Sequence, residues 1–454
     1  MNKSTMNLTS SILKSSFVLG ILISNSVFSQ NPIVPNKGLN DPHIHIFNDT
    51  AYVYASHDTS IENKKFVMED WWIWSSPDLV NWKQESVLKP EETYIGKPFE
   101  SCWATDVAYK SGKYFWYFSE GNQQTGVVVG DSPIGPWKDV LGKPLLTSDL
   151  TPTDEYDMAI LEDNGDHYII FGVWDYYIAK LNDDMMSLAE KPRKLEITNP
   201  KGPYNLDGKN TEKPTDDKPF MHKMNGKYYL SWGVFYGVSN SPYGPFDCKG
   251  SILNLDSFAD GYDKPTWPSG FQQGRHGSFF EWHNQTYFAY CDISQTGNRY
   301  FRDTFISYVH YKENGEMAII RVDAIGVGNY DANQGKIEAE DYFISEGISK
   351  KENKDGGFVL HDISNNDFLV YQNIKGLSDK KKISFSVTVH QKTEIEIREN
   401  SPKGKLLQTV CLSVSDKKNQ EFKLKKLSNI KTLCFVFKVK KQDLVTFDSF
   451  QFLK

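Results

Sequence analysis

Cysteine is scarce and poorly spaced for chemistry: the five in 454 residues, Cys102, Cys248, Cys291, Cys411 and Cys434, form no CxxC pair. That argues against a zinc site and a disulfide scaffold; Cys411 and Cys434 could bridge, and the others read as buried thiols. A basic surplus is missing too, since 51 Lys and Arg face 58 Asp and Glu, a net charge of −7. Without a basic face, nucleic-acid readers drop out as the leading class. Beyond the first 30 residues no apolar run approaches the ~18 residues that span a membrane, so no membrane span is expected. Helix signatures are few, and tryptophan stops altogether at Trp282.

At the start of the chain, Lys3 and Lys14 precede an apolar stretch from Ser16 to Val27, with Ser29 and Gln30 after it. The pattern predicts a cleaved secretory signal over 1–30 and an exported protein, periplasmic or secreted. Aromatics reach 14%, with 24 Tyr, 28 Phe and 11 Trp. Such side chains suit strands, and their faces suit sugar rings.

A turn followed by an aromatic strand recurs five times: NDTAYVYAS from Asn48, SGKYFWYFS from Ser111, NGDHYIIFG from Asn164, NGKYYLSWG from Asn225 and HNQTYFAYCD from His283. Out of phase with it run SSPDLVNW from Ser75, DSPIGPW from Asp131 and SNSPYGPF from Ser239. The turn-to-turn step of about 50 to 65 residues holds roughly four short strands, which is one propeller blade. The expectation is therefore all-β: a five-bladed β-propeller over 31–329, then, where lysine becomes frequent, a β-sandwich over 336–454.

Five to eight positions upstream of the five turns stand Asp41, Asp106, Asp157, Asp217 and His276. If each opens its blade's innermost strand, all five side chains face one mouth of the central channel. One Asp before a strand is ordinarily a turn former or cap. Five polar groups in phase point instead to an acidic pocket built from distant segments. Carboxylates gathered in this way divide into ionised and protonated members according to their surroundings. Such a pair across a sugar performs glycoside hydrolysis, inverting when the carboxyls stand about 6.5 to 9.5 Å apart and retaining near 5 Å. Trp103 is placed to stack on the sugar, with Asp106 and His276 lining the site; Asp106 could equally be spent on backbone amides. His43 and His45 read as packing groups, one of which could reach the pocket.

These residues resemble glycoside hydrolase family 43, on the strength of NDPHIHIFNDTAYVYAS, SSPDLVNW, CWATDVAYKSGKYFWYFSE, YDMAILEDNGDHYIIFG, DKPFMHKMNGKYYLSWG and GRHGSFFEWHNQTYFAYCD in this order. The resemblance implies an inverting five-bladed enzyme with Asp41 as general base and Asp157 tuning and orienting the acid. His276 would then be an axial histidine near a bound ion or water. One position departs: where the family's acid is a Glu before Gly-Pro or Ala-Pro, this chain has Asp217-Lys218-Pro219. Asp217 as acid for an unusual substrate, Glu155, Asp216 or His222 in its place, or lost catalysis are the three readings.

The C-terminal segment is similar to carbohydrate-binding modules of family 6 through IEAEDY, DGGFV, NDFLVYQNI and VTFDSFQF. That implies a structural Ca²⁺ on Glu338, Glu340 and Asp448; the family 43 resemblance leaves room for a second ion near the propeller axis by His276, and no organic cofactor is expected. The sugar-stacking Trp of such modules is missing, Phe422 standing there instead. Together these point to an exported exo-glycosidase acting on plant or algal polysaccharides or oligosaccharides and releasing α-L-arabinofuranose or β-D-xylose. The alternative is a non-catalytic sugar-binding propeller with a degenerate acid.

Overall fold

The computed structural model describes residues 30–62, 64–199, 215–253, 275–354, 356–440 and 445–454, the side chains of 416–418 excepted. The expected signal, Gln30 apart, lies outside the described residues. Five antiparallel sheets follow one another along the chain. Blade I holds Leu39–Phe47, Thr50–Asp58, Met68–Ser76 and Lys83–Leu88; blade II holds Cys102–Lys110, Lys113–Glu120, Gln124–Gly130 and Trp137–Lys138. Blade III holds Ala159–Asp163, Asp166–Phe171, Tyr177–Lys180 and Arg193–Lys194. Blade IV holds Pro219–Met224, Lys227–Trp232, Phe235–Ser239 and Phe246–Ser251, with Ile197–Thr198 added parallel at its edge. Blade V holds Gly277–Trp282, Gln285–Asp292 and Asp303–Val309.

The repeated turns have a common geometry. Asn48 and Asp49, Ser111 and Gly112, Asn164 and Gly165, Asn225 and Gly226, and His283 and Asn284 all adopt positive φ, between 49° and 84°. Two successive left-handed residues match the twist of a tight hairpin, and Asn, Asp and Gly adopt them most easily. In the S-P-x-G-P copies, Pro136 and Pro245 both follow cis peptide bonds.

Blade V has three described strands where the repeat predicts about four. Its outer edge is met by the start of the described chain: Ile33 N donates to Thr304 O at 2.9 Å, and the Asn31 amide bonds both Ile306 N (2.8 Å) and Ile306 O (3.0 Å). The first blade and the last are thereby tied into a ring, satisfying an edge that would otherwise lie open. Apolar side chains fill the seams, with Trp71, Trp116 and Phe118 between blades I and II and Ile44, Val53, Phe280 and Ile306 between I and V.

The sandwich pairs a sheet ordered Ser349–Glu352, Phe358–His361, Val445–Leu453, Lys382–Val389, Ser415–Lys423 with one ordered Ile344–Glu346, Phe368–Tyr371, Leu433–Lys438, Thr393–Glu399, Leu406–Leu412. Tyr371, Phe385, Phe435, Phe447 and Phe450 pack between them. None of the five cysteines is in a disulfide. The Cys411–Cys434 bridge does not form because the two flank opposite sides of Thr393–Glu399, Cys411 facing Glu394 and Cys434 facing Arg398.

The sandwich docks directly on the propeller. Gln285 Nε2 donates to the carbonyls of Glu340 (2.8 Å) and Tyr342 (3.0 Å), Asp341 meets Arg321 Nη1 at 3.0 Å and His310 at 3.3 Å, and Gln372 Nε2 reaches Asp78 O at 2.7 Å. These contacts span blades V and I.

Candidate active site

Four of the five in-phase polar residues meet at the channel mouth. Asp41 sits in the innermost strand of blade I, where the ladder slips between Asn40 and His43 and its own φ is 46°. The bulge turns a side chain that regular pleating would place elsewhere. Asp157 (φ 51°) precedes the inner strand of blade III, and its N–H is held by Ser119 Oγ of blade II at 3.0 Å. Asp217 precedes that of blade IV, followed by Lys218 (φ 63°) and by Pro219 at the first strand position, where no ladder donor is lost. His276 precedes Gly277, where a Cβ would stand 1.9 Å from Ala289 O, so only glycine lets this strand approach.

His276 Nδ1 lies between two carboxylates, 3.6 Å from Asp41 Oδ1 and 3.7 Å from Asp157 Oδ2. Burial lowers its pKa to about 3, so it is a neutral imidazole. Its Nε2 is buried with no hydrogen-bond partner among the described residues. That nitrogen suits the water or hydrated ion expected near the axis.

The carboxylates divide by environment. Burial alone would raise Asp41, but Arg302 and Lys218, with a hydrogen bond from Ser56 Oγ at 3.2 Å, outweigh it and hold the group below its usual range. Arg302 Nη1 donates to Asp41 Oδ1 at 2.8 Å and Nη2 to Oδ2 at 3.3 Å, while Nε and the backbone N–H each take Asp58 Oδ2 at 2.9 Å. Asp157 moves the other way: burial first, then the charges of Asp217 and Asp41, push it far above the usual range, so it keeps its proton. Asp217 is the open member, its side chain 33% exposed, and it is ion-paired with Lys218. Lys218 Nζ also meets Asp216 Oδ2 at 3.2 Å.

Asp106 is corrected. It is fully buried, with Oδ1 taken by His45 Nε2 (2.6 Å) and Val107 N (2.8 Å) and Oδ2 by Ile160 N (2.7 Å). The carboxylate thus joins blades I, II and III under the pocket and does not reach a substrate. His43 and His45 both point to it, His43 Nδ1 at 3.3 Å, rather than into the mouth. Two of the alternative acids have one atom each engaged inside the fold: Glu155, fully buried, accepts through Oε1 from Thr151 N and Oγ1 at 2.7 and 2.8 Å, and His222 Nε2 bonds Tyr311 at 2.7 Å with the ring stacked on Phe279.

Trp103 is half-buried, its indole N–H donating to Asn122 Oδ1 at 2.6 Å. Phe66 meets it edge-on at 6.4 Å and meets Tyr300 at 4.7 Å, and the Arg302 guanidinium lies 4.9 Å above the Phe66 ring. An aromatic wall therefore runs from the Asp41 clamp to Trp103, a surface on which a sugar can stack. Sequence reasoning missed Arg302, Asp58, Phe66 and Tyr300. Arg302 belongs to one blade only, so no repeat marks it.

In the sandwich, Glu338, Glu340 and Asp448 come to one corner. Ala339 N donates to Asp448 O at 2.9 Å, Asn353 Nδ2 to Asp448 Oδ1 at 3.1 Å, and Phe358 N to Glu340 Oε1 at 3.2 Å. Among the described residues no three His, Cys, Asp or Glu side chains stand close enough together to hold a metal ion. Lys336 Nζ sits 2.9 Å from Glu338 Oε2 and 3.8 Å from Asp448 Oδ2. Glu340 Oε2, however, is buried without a hydrogen-bond partner among the described residues, and burial with the charges of Asp341 and Glu338 pushes Glu340 up to about 8. Unpaired hard oxygens of this kind fit Ca²⁺. Phe422 is half-buried and packs against the sandwich core.

A model of glycosyl hydrolases family 43 matches residues 29–317, and one of the family 6 carbohydrate binding module matches residues 338–454. The chain is 26% identical over 438 residues to the arabinoxylan arabinofuranohydrolase of Paenibacillus polymyxa, covering 84% of this chain and 66% of the relative, just under two thirds of that protein's length. It is 30% identical over 269 residues to a xylosidase/arabinosidase of Bacteroides ovatus, covering 49% of this chain and 80% of that one. The arabinoxylan arabinofuranohydrolase of Bacillus subtilis, solved in complex with cellotetraose, has the same fold: TM-score 0.55 at 22% identity over 94% of this chain and 98% of the other.

Proposed function

The chain belongs to glycosyl hydrolase family 43, and from that premise we propose that it is an exported, inverting exo-hydrolase. It removes a terminal α-L-arabinofuranose or β-D-xylose from plant or algal polysaccharides or their oligosaccharides. The names of its relatives from Paenibacillus polymyxa and Bacteroides ovatus support the sugar class. The pattern at 1–30 supports export.

The observation that carries the mechanism is the asymmetry between Asp41, held ionised by Arg302, and Asp157, which keeps a proton beside Asp217. Asp41 takes a proton from water as its oxygen bonds the anomeric carbon. The glycosidic bond breaks, and Asp217 protonates the leaving oxygen. Close carboxylates share protons, so Asp157 supports the protonated state of this pair. Trp103 and Phe66 hold the sugar. In the sandwich, Glu338, Glu340 and Asp448 would hold a structural Ca²⁺, whose role is to tie the ends of that domain together.

One observation favours a binding-only rival: the carboxylate of Asp217, the expected acid, is already engaged by the Lys218 ammonium. A proton NMR time course of the mature protein with arabinan, xylan and algal oligosaccharides separates the two. Early release of an inverted pentose supports the hydrolase. Retention at the anomeric carbon rejects the inverting step, and binding without release favours the rival.

A further inference from the structure

Lys218 is an unusual residue to find inside this pocket. Its side chain is only 8% exposed, and both of its ion-pair partners, Asp216 and Asp217, are its immediate predecessors. A buried lysine normally joins separate elements or neutralises a distant charge. This one spans a single turn, so it ties no blade to another. The turn is already fixed without it: Tyr176 Oη accepts from Asp216 N at 3.2 Å and donates to Asp216 O at 2.8 Å, and Asp216 Oδ1 accepts from Asp217 N at 3.0 Å.

We propose that Lys218 is a positioning residue for Asp217, an internal clamp that fixes the short carboxylate at the place where proton donation occurs. The inference rests on the hydrolase reading above. Aspartate is one methylene shorter than glutamate and leaves its carboxyl about 1.5 Å back, and an error of about 1 Å costs roughly a hundredfold in rate. A rigid cationic partner restricts where the remaining oxygen points. Asp216 serves as the second anchor, so the ammonium is held from two sides and does not follow Asp217 freely. The left-handed backbone at Lys218, φ 63°, immediately before Pro219, fixes the origin of the side chain as well.

The clamp carries an electrostatic consequence. Charged or titratable groups facing it are Asp216 and Asp217 on its own turn, Asp157 from blade III, Asp41 from blade I and His276 from blade V. The ammonium is among the charges that hold Asp41 down and oppose the rise of Asp157. It therefore favours the ionised state of Asp41 and opposes the protonated state of Asp157, and its removal should move the alkaline limb of activity to higher pH.

The test uses the mature full chain with Lys218→Met, which keeps bulk and removes charge, and Lys218→Arg, which keeps charge. In Lys218→Met the alkaline limb of kcat moves up. On glycosides with poor leaving groups kcat falls about tenfold or more, KM stays within about twofold, and activated aryl glycosides lose less. Lys218→Arg restores the wild-type limb. A lysine that only supports the fold would lower Tm and leave the limb and the leaving-group dependence in place, and that result overturns the proposal.

If wild type releases no sugar, the hydrolase reading fails, and the clamp is judged without turnover. Carboxyl ¹³C NMR of aspartate-labelled protein, assigned by difference with Asp217→Asn, follows the Asp217 titration directly. An upward move in Lys218→Met upholds the clamp, and an unchanged titration rejects it.

Discussion

Arg302 Nη1 donates to Oδ1 of Asp41 at 2.8 Å across 261 positions of sequence. The same guanidinium grips Asp58, so one cation from blade V serves two carboxylates of blade I. Burial would raise Asp41, but Arg302 together with Lys218 and the Ser56 hydroxyl outweighs it and holds the carboxylate below its usual range, the state a base needs. Asp41→Asn removes the base and leaves the fold, with kcat falling about 10² to 10⁴-fold. Arg302→Lys keeps a charge but loses the forked contact, so the Asp41 pKa rises and the acid limb of kcat/KM moves to higher pH. A pH–rate series on both variants beside wild type reads both effects; an unmoved acid limb removes Arg302 from this role.

Asp217→Asn tests the acid. The expected loss is larger on poor leaving groups, which need a proton, than on activated aryl glycosides, which leave without one. Equal losses on the two substrate types would count against proton donation by Asp217.

Asp106 ties three blades and does not touch substrate, so its removal is a matter of stability. Burial would raise it, but His43 and His45 outweigh burial and hold it well below its ordinary 3.8. A carboxylate depressed in the folded state contributes stability that is present above the unfolded value and lost as pH falls through the folded one. Asp106→Asn should therefore cost about 3 kcal/mol near neutrality. The gap to wild type should narrow as pH drops below 3.8, while KM of the folded protein stays unchanged. Urea titrations across pH, with KM measured in parallel, check both.

Calcium should raise the Tm of the sandwich, and a chelator should reverse the gain. Ligand binding to the folded state alone adds about 2.7 kcal/mol at a hundred times Kd. Glu340→Gln removes the buried orphan oxygen and should abolish the response. A calcium effect that survives in Glu340→Gln moves the ion elsewhere.

Much of the fold was legible because each blade repeats a local rule. Asn48, Ser111, Asn164, Asn225 and His283 each begin a turn that needs two left-handed residues, and that requirement is written in neighbouring positions. Asp41, Asp157, Asp217 and His276 were visible for the same reason, since they stand in phase with those turns. Asp106 stood in phase too, and its repeat position said nothing about depth: Val107 N and Ile160 N claim its oxygens.

The sequence by itself determined the strands, their turns and the gathering of acidic side chains on one axis, because hairpin geometry and hydrophobic alternation act over a few residues. Only the tertiary structure decided which acids are charged. Whether Asp41 is ionised depends on Arg302, 261 positions away, whether Asp157 keeps its proton depends on burial and on Asp217 across the pocket, and Asp217 itself meets an ammonium next to it in the chain. Ionisation follows distance and dielectric in space, and the order of residues along the chain encodes neither directly.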